Sequence, residues 1–418
     1  MKKILVVLVA AALSWASVAI AQDQPVRSIV NVTGDLYRFQ ENNHYGVFLV
    51  TDEGIILADP ISHDNAQWLK GELDERFGLP VTYVIYSHDH ADHTSGGEVF
   101  ADTATFVAHF AAKPKIEESG HTPVPDKRFP WSYKVELGNG LVELHYFTKS
   151  HSDNLITLYF PEEKAVFLVD LVAVKRLPYR NLRDYYFPSA IDYLSYMEEI
   201  EFDILIPGHG PMGVKQDVVD HRIYLETLMA EVEKARDEGK TVEEAKKIIL
   251  FEDYKDWGQY EAWRELNIEG MYRILEENEK LKNWPERISR VEVKYPRNAY
   301  QMNVEGWAVL GFDINSDGKT ENIRILDSAA ETTTRGITET DWAKKLFEKK
   351  AIKALAKYVY EQGKPVENQR FIIDFVLPYS RTQGGSFFSL SSYGGVFRDI
   401  TMGELMARDQ GGGRAVCC

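Results

Sequence analysis

The sequence predicts an α/β chain in two folded units, a layered α/β sandwich followed by a small α+β unit. Short apolar runs bounded by turns alternate with helix-patterned stretches from Leu36 to Ile206. Beyond Met212 the pattern becomes wholly helical, and Asn283-Trp284-Pro285 breaks it. A second series of strand, turn, strand, helix and strand then runs to Leu377. The 418 residues exceed one core, since single cores stop growing near about 250 to 300 residues. The expected units span residues 28–284 and 286–380.

Residues 1–21 have the three-part form of a secretory signal peptide: Lys2-Lys3, an apolar stretch from Ile4, and Ala19-Ile20-Ala21 before Gln22. Cleavage after Ala21 and a periplasmic or secreted protein are expected, with an uncleaved membrane anchor as the other outcome. No cysteine follows Ala21, which argues against a lipoprotein. Loss of Lys2 and Lys3 takes the formal net charge from −16 to about −18. Such a surface repels nucleic acid and anionic lipid, so neither is an expected partner. Cys417 and Cys418 are the only cysteines, so no disulfide staples the fold and no thiolate serves its chemistry.

Tyr45 to Val50, Asp52-Glu53-Gly54 and Ile55 to Ala58 read as a β-hairpin, and Asn65 to Phe77 as a helix. Further strands are expected at Val81–Tyr86, Ala104–His109, Val142–Phe147, Leu155–Phe160, Ala165–Val169 and Asp203–Ile206. Val218, Leu225, Leu228, Met229 and Val232 recur at helical spacing, and Thr241 with Glu244 forms a capping box. Trp263, Leu266, Gly270 and Ile274 continue the helical pattern. In the second unit, strands at Gly306–Ile314 and Glu321–Leu326 flank a Ser316-Asp317-Gly318 turn. A helix over Asp341–Tyr360, with Phe347, Ala351, Leu355 and Tyr358 on one face, precedes Gly363 and a strand at Gln369–Leu377. Residues 381–418 are Gly- and Ser-rich and read as a disordered tail.

Ser87-His88-Asp89-His90-Ala91-Asp92-His93 puts three imidazoles and two carboxylates directly after a strand. A chain turning out of that strand can aim His88 and His90 at one ion while Asp92 and His93 face a second. Imidazole and carboxylate are zinc's usual oxygen and nitrogen donors. Three further candidates sit at predicted strand ends, where α/β folds collect functional groups: His151, Asp170 and His209, the last within Pro207-Gly208-His209-Gly210-Pro211. His44, His63, His109, His121, His145 and His221 lack such spacing and read as structural or exposed.

His88-x-His90-x-Asp92-His93, followed by His151, Asp170 and His209 in that order, resembles the metallo-β-lactamase superfamily across about residues 30 to 280. The resemblance implies an αββα sandwich and two zinc ions, with iron or manganese as the alternative metals. It implies that His88, His90 and His151 hold the first ion, that Asp92, His93 and His209 hold the second, and that Asp170 bridges them. Two ions about 3.5 to 4 Å apart can share a water and bring its pKa to about 7, and Asp92 would orient the resulting hydroxide. Asp170 stands where the largest β-lactamase subclass has cysteine, so the chain looks more like the glyoxalase II and general-hydrolase branch. Export speaks against glyoxalase II itself, as does the lack of evident basic groups for a glutathione carboxylate in the helices after residue 212. The expected activity is hydrolysis of an ester, thioester or amide bond, with a lactam as a further substrate. The aromatic segment from Leu177 to Phe187 supplies the expected substrate-facing residues Tyr179, Tyr185 and Tyr186.

Tyr295-Pro296, Glu305-Gly306, Asp317-Gly318, Ala351 to Leu355 and Phe371 to Leu377 resemble the TonB C-terminal domain over about residues 286 to 380. That resemblance implies a protein partner joined by strand addition, or self-association. The proline-rich spacer of TonB is absent, which puts energy transduction in doubt. A rival reading follows, in which a non-catalytic periplasmic docking protein keeps the first unit as a scaffold and acts through the second.

Overall fold

The computed structural model describes residues 24–281, 285, 287–289, 291, 293–332 and 340–375. The expected signal segment, Asn283-Trp284 and the tail with Cys417 and Cys418 lie outside the described residues. Among the described residues no helix is long and apolar enough to cross a membrane.

Seven strands form the first sheet in sequence order: β1 (Arg27–Thr33), β2 (Leu36–Glu41), β3 (His44–Val50), β4 (Ile55–Ala58), β5 (Val81–Ile85), β6 (Thr105–His109) and β7 (Lys127–Phe129). Pairing is antiparallel from β1 to β4 and parallel from β4 to β7. The second sheet holds β8 (Ser132–Leu137), β9 (Gly140–His145), β10 (Thr157–Phe160), β11 (Ala165–Phe167) and β12 (Ile204–Ile206). Helices α1 (His63–Phe77), α2 (Ala91–Thr94) and α3 (Ala112–Ser119) punctuate the first half, and α4 (Ser189–Glu199), α5 (Lys215–Asp237), α6 (Val242–Ile248) and α7 (Tyr260–Leu281) the second.

The layering follows from the two-residue period of the strands. On β4, Ile55 and Leu57 turn outward to the core under α1, while Ile56 and Ala58 turn inward to the core between the sheets. Leu69 and Leu73 of α1 meet Phe39, Phe48 and Val84 on that outer face. Ser62 caps α1 by accepting from Asn65 N, and Gly78 ends it at φ +62°, a conformation glycine adopts without steric cost. Tyr193, Leu194 and Met197 of α4 and Val218 and Leu225 of α5 pack on the side of the second sheet, completing a helix–sheet–sheet–helix sandwich. The expected hairpin, α1 and the strands feeding the histidine cluster are all present, whereas β1, β7 and β8 were not anticipated, although Tyr133, Val135 and Leu137 of β8 alternate with polar residues.

The second unit comprises β13 (Arg287–Ser289), α8 (Arg297–Gln301), β14 (Val304–Ile314), β15 (Thr320–Thr332), α9 (Asp341–Leu355), β16 (Val359–Tyr360) and β17 (Val366–Phe375). β14 lies between β15 and β17, antiparallel to both. The expected helix to Tyr360 stops at Leu355, because β16 is taken into pairing with β13 and Tyr360 N donates to Gly318 O at 2.7 Å. Tertiary pairing outweighs helical periodicity here. Gly363 accordingly closes a turn onto Ser316 O at φ +82° instead of ending a helix.

The two units touch. Ala308, Leu310 and Phe312 of β14 enter the core under α9, while Trp307 and Val309, on the opposite face, join the core of the first unit with Ile372. Trp307 meets Phe110 with ring centroids 5.8 Å apart. Arg128 on β7 grips Asp327 through two nitrogens at 2.8 and 3.2 Å, and Lys127 reaches Glu331 at 3.0 Å.

Candidate metal centre

The strand ends deliver the donors. Asp59, directly after β4, is fully buried at φ +54°, and β4 pairs with β5 so that Ala58 faces Ile85. Its carboxylate therefore sits beside Ser87, accepting from Ser87 N at 2.8 Å and from Ser87 Oγ at 2.6 Å. Since the Ser87 hydroxyl proton is committed to Asp59, Ser87 Oγ accepts from His88 Nδ1 at 2.9 Å. His88 Nε2 is thereby left without a proton and points into the site. His93, on α2, has Nδ1 3.2 Å from the same Asp59 and also turns its Nε2 inward.

Asp170 follows β11 in a left-handed conformation, φ +59°, where its short polar side chain is tolerated better than most. Tyr185 holds that turn by donating from its hydroxyl to the Asp170 carbonyl at 3.0 Å. One carboxylate oxygen, Oδ2, lies 3.5, 3.3 and 3.3 Å from Nε2 of His88, His93 and His151, while Oδ1 lies 3.0 Å from Nε2 of His209. His209 follows β12 and donates from Nδ1 to Asn43 O at 2.9 Å, which fixes its ring. Buried Arg38 braces the same loop by donating to the carbonyls of Pro207 and Gly210.

The donors fall into overlapping groups whose atoms lie within 4.8 Å of one another: His88, His90, His151 and Asp170; His93, Asp170 and His209; and His44, Asp92 and His209. All seven residues expected from the sequence therefore come together, with Asp170 between the halves. His44 is an addition, and a correction to its reading as a spare histidine; its Nε2 lies 3.4 Å from Asp92 Oδ2. No spacing rule points to it, because β3 brings it to the site from far upstream. Asp59 was missed for the same reason.

These residues fit divalent metal. The donors are imidazole nitrogen and carboxylate oxygen, and the Asp170 and Asp92 oxygens lie 3.0 to 4.0 Å from the histidine nitrogens around them, inside the about 4.2 Å that two atoms bound to one ion at about 2.1 Å can span. The buried Nε2 atoms of His88 and His93 have no hydrogen bond of adequate geometry, an expense that a ligand would remove. Burial, reinforced by His90 and His93, holds the His88 pKa well below the usual histidine value, and burial brings His151 down to about 4. Both are thus kept in the neutral form that binds metal. For Asp170 burial favours protonation, but His93 and His151 outweigh it and keep the carboxylate ionised. Burial likewise opposes the charge on Asp92, and the contacts with His44 and His93 prevail.

A cavity of about 340 Å³ opens beside His90 and His151. Tyr185 and Tyr186 line it, but Tyr179 does not: it is 53% exposed and packs edge-on against Trp263 at 5.2 Å. That corrects the expectation for Tyr179, whose side chain follows the surface of α7 away from the site. Lys149, Arg183 and, from α7, Arg273 bring positive charge to the cavity wall. The helices after residue 212 do supply a basic group to the cavity, contrary to the expectation from sequence; Arg273 also donates to the carbonyls of Asn181 and Leu182.

Residues 43–209 match the model of the metallo-beta-lactamase superfamily, and residues 291–377 match that of the Gram-negative bacterial TonB protein C-terminal region. The 2,4-dinitroanisole O-demethylase subunit alpha of Nocardioides sp. is 28% identical over 193 residues, which is 44% of this chain and 58% of that protein. Protein TonB of Klebsiella pneumoniae is 29% identical over 93 residues, 22% of this chain and 33% of its own length. The chain thus spans little more than half of the first relative and a third of the second. A metallo-beta-lactamase from Pontibacter korlensis superposes with a TM-score of 0.44 at 18% identity, covering 48% of this chain and 99% of that one. The chain joins a metallo-beta-lactamase superfamily domain to a TonB C-terminal domain.

Proposed function

We propose that the protein is an exported two-metal hydrolase of the glyoxalase II-like branch, cleaving an ester, thioester or amide bond in a small molecule. The supporting observation is the placement of Asp170, whose carboxylate lies 3.0 to 3.5 Å from imidazoles of both halves of one donor cluster. His88, His90 and His151 would hold one zinc ion, Asp92, His93 and His209 the other, and Asp170 would bridge. When bound, such a pair supplies hydroxide near neutral pH and polarises the carbonyl under attack. The chain's own residues prepare the site. Asp59 and Ser87 set the ring orientations of His88 and His93, and Asn43 sets that of His209. Asp92, half exposed and ionised, orients the nucleophile. Tyr185 and Tyr186 border the space where substrate lies, and Lys115, Lys149, Arg183 and Arg273, set against Asp184 and Glu277 on the same wall, leave an excess of positive charge that favours a negatively charged substrate. The TonB C-terminal domain would recruit a protein partner in the periplasm.

A panel of a simple ester, a lactoylglutathione-type thioester, nitrocefin, a phosphodiester and an aryl methyl ether tests this reading on the metal-loaded chain. The last probe is included because of the O-demethylase relative. Turnover of a carbonyl substrate, abolished in His88→Ala and Asp92→Ala, is the expected result. Metal at two equivalents without turnover of any probe would favour the scaffold reading instead.

A further inference from the structure

His44 opens β3 beside Asp92 and His209 and is held there from both flanks. Asn43 O accepts from His209 Nδ1 at 2.9 Å, and Tyr45 N donates to Gly208 O at 2.9 Å, so the backbone around His44 is stitched to the loop that carries His209. The His44 ring meets that of His209 edge-on with centroids 4.6 Å apart, and its Nε2 lies 3.4 Å from Asp92 Oδ2. A backbone register, not a free side-chain rotor, brings this imidazole to the cluster.

We propose that His44 is an eighth metal donor, serving the second half of the centre beside Asp92 and His209; this rests on the two-metal reading above. Asp92 Oδ2 lies 3.4, 3.8 and 4.0 Å from Nε2 of His44, His93 and His209, each within the span that two atoms on one ion can have. His44, Asp92 and His209 form one group of donor atoms within 4.8 Å of one another, and His93, Asp170 and His209 form another that shares His209, whereas the first half is the single group His88, His90, His151 and Asp170. Four donors suit a tetrahedral zinc ion.

Cobalt titration of the full chain, followed by visible absorption and metal analysis, tests the assignment on wild type, His44→Ala and His44→Gln. Glutamine can still hydrogen-bond Asp92 but replaces the imidazole donor. Both variants are expected to bind the first equivalent as wild type does and the second on the order of tenfold or more weakly. The absorption of the second cobalt should strengthen as its coordination number falls, and added imidazole should restore the wild-type spectrum in His44→Ala. Wild-type affinity and spectrum in His44→Gln would overturn the assignment and leave His44 as a partner that only orients Asp92. Fewer than two equivalents in the wild type would instead overturn the two-metal reading itself.

Discussion

Asp59 and Asp170 both end buried strands in left-handed conformations, and each turns its carboxylate into the site. Backbone of this kind costs on the order of 1–3 kcal/mol and persists where the surroundings enforce it. Here the enforcing contacts are Ser87 and His93 around Asp59 and the Tyr185 hydroxyl on Asp170. Asp59→Ala would strand the Ser87 amide and hydroxyl, at about 1–3 kcal/mol for each unpaired group, and would release His93. The expected outcome is a lower melting temperature in the metal-free protein together with metal affinity reduced about 10–100-fold, read by competition with a chromophoric chelator. Gly208 is constrained by contact: a Cβ there would lie 2.5 Å from Val169 Cγ1 and 3.0 Å from His93 Cε1. Gly208→Ala should therefore destabilise by about 1–3 kcal/mol in denaturant unfolding and weaken metal binding through His93.

The clustering of the seven candidate donors was legible in the sequence because four of them are neighbours in it and the other three sit at strand ends marked by apolar runs. Asp59 and His44 were not, since their roles arise only when β4 pairs with β5 and β3 brings its first residue to the loop after β12. At the scale of elements the same division recurs. Strands marked by apolar runs, such as β4, β5 and β14, were readable. The end of α9 was not, because the β13–β16 pairing that stops it lies between segments about 70 residues apart. Nor could periodicity reveal that β14 serves two cores, one on each face. Its docked face gives a direct test: Arg128→Asp should cost roughly 1.5–3 kcal/mol by breaking a partly buried, doubly hydrogen-bonded pair, and Arg128→Asp with Asp327→Arg should recover most of it in denaturant unfolding.

The molecule as a whole couples a sandwich that carries the candidate metal centre to a domain whose sheet face is already covered. Trp307, Val309 and Ile372 are spent on the contact with the first unit, so a partner of the second would meet strand edges, with β15 and β17 outermost in its three-stranded sheet. On the proposed reading, chemistry and recruitment use separate surfaces of one body. The claim beneath both is that eight clustered side chains exist to hold metal. Elemental analysis of the full chain, purified without chelator, measures this most directly. Close to two divalent ions per chain, falling in His88→Ala and in His151→Ala, is the expected result; a well-folded wild-type chain that binds no divalent ion would contradict it.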